Sequence, residues 1–261
     1  AQALLLPVPT LQARITRAKK RIAGASIPLS VPAEPEERAR RMPLVLRAIS
    51  LVFTEGYATT SGDAPMRREL TAEAIRLARI LERLSPGDAE PAGLLALLLL
   101  SDARSPARTD ADDVPIPLED QDRTLWDRER ITEGLALVER AVSAPDAGRY
   151  AIEAAIAALH AEAPRFEETD WDQIVVLYDL LLARGEDPVV RMNRAIAAGR
   201  AHGPEEGLAL LEQLGEEPEL RAHSPFHAAL ALFHEETGQH GRAVGDWERA
   251  HELGGSEGER R

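Results

Sequence analysis

The chain of 261 residues contains no cysteine, which excludes disulfides, thiolate catalysis and cysteine-ligated zinc. Lysine occurs only at Lys19 and Lys20 while arginine, alanine and leucine abound, a bias that points to a GC-rich coding sequence. Aromatic residues make up 4%, which leaves little for a site that stacks single-stranded bases. The longest apolar run, 94–100, falls far short of the roughly 20 residues that span a bilayer. Residues 1–8 lack the basic start and cleavage site of a signal peptide, so a cytoplasmic location is expected. There is no glycine-rich phosphate loop, no Gly-x-Ser-x-Gly elbow and no His-Glu-x-x-His helix. A non-catalytic protein that needs no cofactor is expected.

Charge is abundant and unevenly placed. Residues 1–32 carry Arg14, Arg17, Lys19, Lys20 and Arg21 and no acid. With a net charge of −13 for the whole chain, the remainder carries −18. A basic head therefore sits on an acidic body that DNA repels, so contact with phosphates is confined to the first 32 residues.

Within that head, 10–22 (TLQARITRAKKRI) has helical spacing, with Thr10 placed as an N-cap after Pro9. At about 100° per residue, Leu11, Ile15, Ala18 and Ile22 form one narrow apolar stripe. Gln12, Ala13, Thr16, Arg17 and Lys20 face away from it, and Arg14 and Arg21 flank it. Residues 1–6 have the pattern of a preceding helix that ends at Pro7, so the arrangement reads as a helix-turn-helix with a basic second helix. The competing reading is a solvated amphipathic helix without a partner.

The segment 10–22, preceded by LPVP at 6–9 and followed by ASIPLSVP at 25–32, resembles the end of domain 4 of an extracytoplasmic-function (ECF) sigma factor. More closely, it resembles the subgroup with a C-terminal extension of tetratricopeptide-like (TPR) repeats. The blocks LVFTEGY at 51–57, RLAR at 76–79, LLLSDAR at 98–104, LEDQDRTLWD at 118–127 and HAEAP at 160–164 also resemble that extension, in its order. The resemblance implies a promoter-specific transcription initiation factor that binds core RNA polymerase and reads the upstream promoter hexamer. It places Gln12, Ala13, Thr16 and Arg17 toward the major groove and Arg14, Lys20 and Arg21 on phosphates. The polymerase-clamp domain of such factors has no counterpart here, so the chain reads as a C-terminal fragment. Its extension would then regulate activity or bind a protein partner. The alternative is a TPR-like interaction scaffold without DNA binding.

The rest of the chain is expected to be all-α. Pro28 to Pro35 has linker composition. Helices are predicted over 36–56, 66–84, 89–104, 127–144, 150–163, 171–184, 188–201, 205–214, 219–236 and 241–253. This divides the chain into 1–32, the end of the helix-turn-helix; 33–126, helices with a long loop at 105–126; and 127–261, TPR-like repeats with a terminal capping helix. In the last third Met192 aligns with Phe226, Ala195 with Ala229, Gly207 with Gly241 and Ala209 with Ala243, a period of 34 residues, which is the tetratricopeptide period. Trp171, Ile174, Val175 and Tyr178 hold the spacing of that motif's first helix. In the loop, Trp126 is expected to anchor on the helices and Arg123 to pair with a carboxylate. Residues 93–100 are apolar all round and are expected to be core. His223, His227 and His234 share a helix face, but a zinc site lacks a fixed third ligand.

Overall fold

In a computed structural model, residues 8–25, 34–57, 67–112, 114–145 and 147–254 are described. Among these residues the fold is all-α, with eleven helices. They are α1 (Val8–Gly24), α2 (Pro35–Tyr57), α3 (Arg68–Leu84), α4 (Ala89–Ala103), α5 (Arg128–Val142), α6 (Arg149–Glu162), α7 (Trp171–Leu182), α8 (Pro188–His202), α9 (Pro204–Gln213), α10 (Ser224–Glu236) and α11 (His240–Leu253). The loop from Ser105 to Trp126 holds three short 3-10 turns and one bridge between Thr109 and Pro115.

Two predicted boundaries move for reasons of proline chemistry. α1 starts at Val8, so Thr10 lies inside the helix and does not cap it. Pro9 fits the first turn, where a missing N–H costs nothing. α10 starts at Ser224 instead of at residue 219, because Pro225 would clash with the carbonyl four residues back in a continuing helix. Residues 214–223 form successive turns instead, such as Glu217 N–H to Leu214 O and His223 N–H to Leu220 O.

Three apolar clusters run along α2–α10. The first joins α2 to α6 around Phe53, Leu94, Leu95, Leu98, Leu99 and Leu100, with Trp126 buried against it. It is continuous across residue 126, where the sequence reading drew a boundary. The second links α6, α7 and α8 through Ile156, Ile174 and Val190, and the third fills α8–α10 around Phe226 and Phe233. α4 is buried on every side, as its leucines require.

Glycines set the closest approaches. A Cβ on Gly93 of α4 would lie 2.5 Å from the backbone nitrogen of Ala151 in α6. At the same crossing, the Glu90 carboxylate accepts from the N–H groups of Gly148, Tyr150 and Ala151, each at 3.2 Å. A carboxylate from one helix thus satisfies the free donors at the start of another and meets the positive end of its dipole. Between α8 and α9 a Cβ on Gly207 would lie 2.7 Å from Cα of Gly199, with the Phe233 ring closing over both. Of the positions that the 34-residue period pairs, Met192, Ala195, Phe226 and Ala229 are buried, whereas Ala209 and Gly241 are exposed and their mates Ala243 and Gly207 are buried.

Candidate functional site

Gln12, Ala13, Arg14, Thr16, Arg17, Lys20 and Arg21 all lie exposed on α1. Their arginines and lysine form no ion pair among the described residues, whereas many arginines of the array are tied to acids, such as Arg79 to Glu133 at 2.7 Å and Arg194 to Asp179 at 2.6 Å. The apolar stripe expected to pack does not do so: Ile15 is 45% and Ile22 57% exposed, and only Leu11 is half-buried. The reason is that no described residue lies over it. The helix-turn-helix partner expected at 1–6 falls outside the described residues.

The family-like blocks at 51–57, 98–104, 118–127 and 160–164, far apart in sequence, converge in space. Tyr57 ends α2, and Arg104 and Arg108 follow α4 directly. The Arg104 Nη2 donates to the Tyr57 hydroxyl at 3.0 Å, and Arg108 Nη1 donates to the Tyr57 carbonyl at 2.6 Å. The Arg108 guanidinium also stacks 3.5 Å from the centre of the Tyr57 ring. Burial, with Arg104 close by, lowers the pKa of Arg108. Arg123 comes from the loop and reaches the end of α6, where its Nη1 donates to the carbonyls of His160 at 2.6 Å and Ala163 at 2.7 Å.

The carboxylate pairing expected for Arg123 is therefore replaced by two carbonyls at a helix C-terminus, which a guanidinium serves better because those acceptors have no helical donor. Trp126 is buried, with Arg123 4.5 Å over its ring. Arg123→Met keeps the stem and removes the donors. It is expected to cost about 2–3 kcal/mol and to lower the melting temperature by about 4–10 °C, measured by thermal unfolding followed by circular dichroism.

Beside this cluster α4, α6, α7 and α8 enclose a groove of about 310 Å³. Leu97, Leu100, Ile156 and Leu181 give it an apolar floor, and Ser101, Arg104, Glu153, His160, Tyr178 and Asn193 supply its polar wall. At the far end Arg149 Nε donates to Glu153 at 2.7 Å and reaches Asp187 at 3.2 Å. Burial pushes the Glu153 carboxyl and the Tyr178 hydroxyl up.

His160 lies edge-on to Trp171 with ring centres 5.2 Å apart, and its Nδ1 is buried without a hydrogen-bond partner. Burial, and then the nearby Arg104 and Arg123, pull its pKa from 6.5 to about 4. An unfolded chain takes up this proton near pH 6.5 and the folded chain only near 4, so stability is full above 6.5 and falls as the pH drops between the two values. The expected loss is about 2 kcal/mol by pH 5, read as the difference between urea unfolding of the natural chain and of His160→Gln, which lacks this slope.

The groove was not predicted as a site. Most of its residues read as helix interior; the family-like blocks marked Leu100, Ser101, Arg104 and His160, and the repeat spacing marked Tyr178. The three histidines do not act together. His234 is buried with Nδ1 2.7 Å from Asp246, His227 Nε2 lies 3.1 Å from the Arg221 carbonyl, and His223 precedes α10. No cluster of three metal-ligating side chains occurs among the described residues, and no described helix is long and apolar enough to cross a membrane.

Residues 41–142 match a family described as a family of unknown function (DUF6596), and that stretch supplies Tyr57, Arg104, Arg108, Arg123 and Trp126 to the cluster. The chain is 48% identical over 216 residues to the uncharacterized protein R00370 of Rhizobium meliloti (strain 1021), covering 83% of this chain and 51% of that protein. It thus spans about half the length of the curated relative that it matches. Among solved structures, MamA AMB-1 in crystal form P212121 superposes with a TM-score of 0.44 at 14% identity, over 78% of this chain and 95% of that one. MamA MSR-1 in form C2 gives 0.43 at 14%, over 82% and 97%. These superpositions are partial, and the all-α assignment rests on the helices themselves.

Proposed function

We propose that the chain belongs to a transcription initiation factor of the ECF sigma type, with α1 on promoter DNA and the array α2–α11 as a protein-interaction scaffold. The observation that carries the scaffold is the groove: α4, α6 and α8, every second helix of this part of the array, line one cleft with an apolar floor and a polar wall, and α7 adds Tyr178 and Leu181 to it. Stacked hairpins that present alternate helices to one side build an extended surface suited to a protein segment. The DNA half of the proposal is supported by α1, whose five cations stand exposed and free of carboxylates among the described residues, on a chain that is otherwise strongly acidic.

The reading that competes is a scaffold without DNA binding. Titration of a fluorescent duplex with the chain at several salt concentrations decides between them. The proposal predicts an affinity that falls linearly on a log-log plot, with a slope near −0.9 for each phosphate contacted. The absence of binding at 50 mM salt would leave only the scaffold.

A further inference from the structure

We propose that the groove takes an acidic peptide segment, and that Arg104 receives one of its carboxylates. This rests on the scaffold reading and names the chemistry of the scaffold's partner.

The argument is electrostatic and geometric. Arg104 lines one end of the groove with Arg108 and Arg123 close to it; burial lowers the pKa values of both Arg108 and Arg123 and Arg104 lowers them further, with Glu167 offsetting part of the shift at Arg123. Like charges brought together in a partly desolvated place raise the energy of the unliganded protein, and an anion relieves it. Arg123 spends its Nη1 on two carbonyls and Arg108 its Nη1 on another. Arg104 differs, because it lines the groove and its side chain makes one hydrogen bond among the described residues, to the Tyr57 hydroxyl. It forms no ion pair among the described residues, so its remaining donors are available for bidentate capture of a carboxylate.

The wall beside Arg104 does not neutralise it. His160 is held uncharged, while Ser101 and Asn193 offer uncharged hydrogen-bonding groups. The groove's own carboxylate, Glu153, lies at the opposite end with Arg149. A segment laid along the cleft would therefore place an acid at Arg104, apolar side chains on Leu97, Leu100 and Ile156, and its backbone amides against Asn193. The volume of about 310 Å³ suits two or three side chains.

The test is fluorescence anisotropy with two labelled ten-residue peptides of alternating leucine and glutamate or leucine and glutamine. Four forms of the chain are compared: the natural chain, Arg104→Gln, Arg104→Lys, and a variant with Arg14, Lys20 and Arg21 changed to alanine, which removes binding to α1. Circular dichroism establishes that each is folded.

The expected results are preference for the glutamate peptide, at least a tenfold loss with Arg104→Gln, partial recovery with Arg104→Lys, and little change in the α1 variant. Unchanged binding in Arg104→Gln, or loss only in the α1 variant, overturns the proposal. Displacement by inorganic phosphate at millimolar concentration with no preference between the peptides also overturns it, in favour of a small-anion site. Tight binding of the glutamine peptide that ignores Arg104 overturns the acidic partner while leaving the scaffold intact.

Discussion

Changing Arg14, Lys20 and Arg21 together to alanine is expected to weaken binding to duplex DNA by about a hundredfold at 0.1 M salt, at about 1 kcal/mol for each exposed ionic contact. The salt slope should fall by about 2.7, one increment of about 0.9 for each phosphate contact removed. The effect should be nearly the same for every DNA sequence, because phosphates carry no sequence information. Gln12→Ala and Thr16→Ala should behave differently, with a small loss of overall affinity and an altered preference among duplexes. The residues of these variants lie exposed on α1, so the melting temperature of the array should not move. That separation makes DNA binding, read as anisotropy against salt, a clean measure of the role of α1.

The second large effect is on stability. Gly93→Leu forces a Cβ to within 2.5 Å of the Ala151 nitrogen and 2.8 Å of its Cα, and the collision is with backbone that cannot rotate away. α4 and α6 must then separate, which breaks the three hydrogen bonds that Glu90 accepts from the start of α6 and opens the leucine core around Leu94 and Leu98. The expected cost is about 3–5 kcal/mol, at the upper end for overpacking because the partner is main chain. The melting temperature should drop by about 6–15 °C, and the groove, which α4 and α6 both line, should lose its shape. A control at Gly185, where nothing lies within 4 Å of an added Cβ, should shift stability by less than about 1 kcal/mol.

The array was legible in the sequence because its signals are local. Apolar spacing and proline placed ten of the helices to within a few residues, and the error at α10 came from giving the periodicity of 219–224 more weight than Pro225. The 34-residue period found real core partners in Met192, Ala195, Phe226 and Ala229. It did not show that Gly207 matters through contact with Gly199, whereas its repeat mate Gly241 faces open space. Equivalent letters in a repeat thus served different needs.

The site was less legible because it is made by long-range contacts. Nothing near Arg123 shows that its partners are the carbonyls of His160 and Ala163, and a carboxylate is the partner that charge alone suggests. Arg104 and Tyr57 stand 47 residues apart and His160 a further 56 beyond Arg104. Only the family-like blocks linked them, and they did so without giving the geometry. For α1 the opposite holds: charge and spacing named its candidate residues, and the described structure adds their exposure but no ligand.

The most direct measurement is capture of core RNA polymerase by the full-length protein with and without residues 33–261, followed by run-off transcription from its own promoter. The account predicts that polymerase is captured by both forms and that transcription is abolished or deregulated when the array is removed. Failure of the full-length protein to capture polymerase or to support any transcription would contradict it, leaving an interaction scaffold whose basic helix serves no promoter.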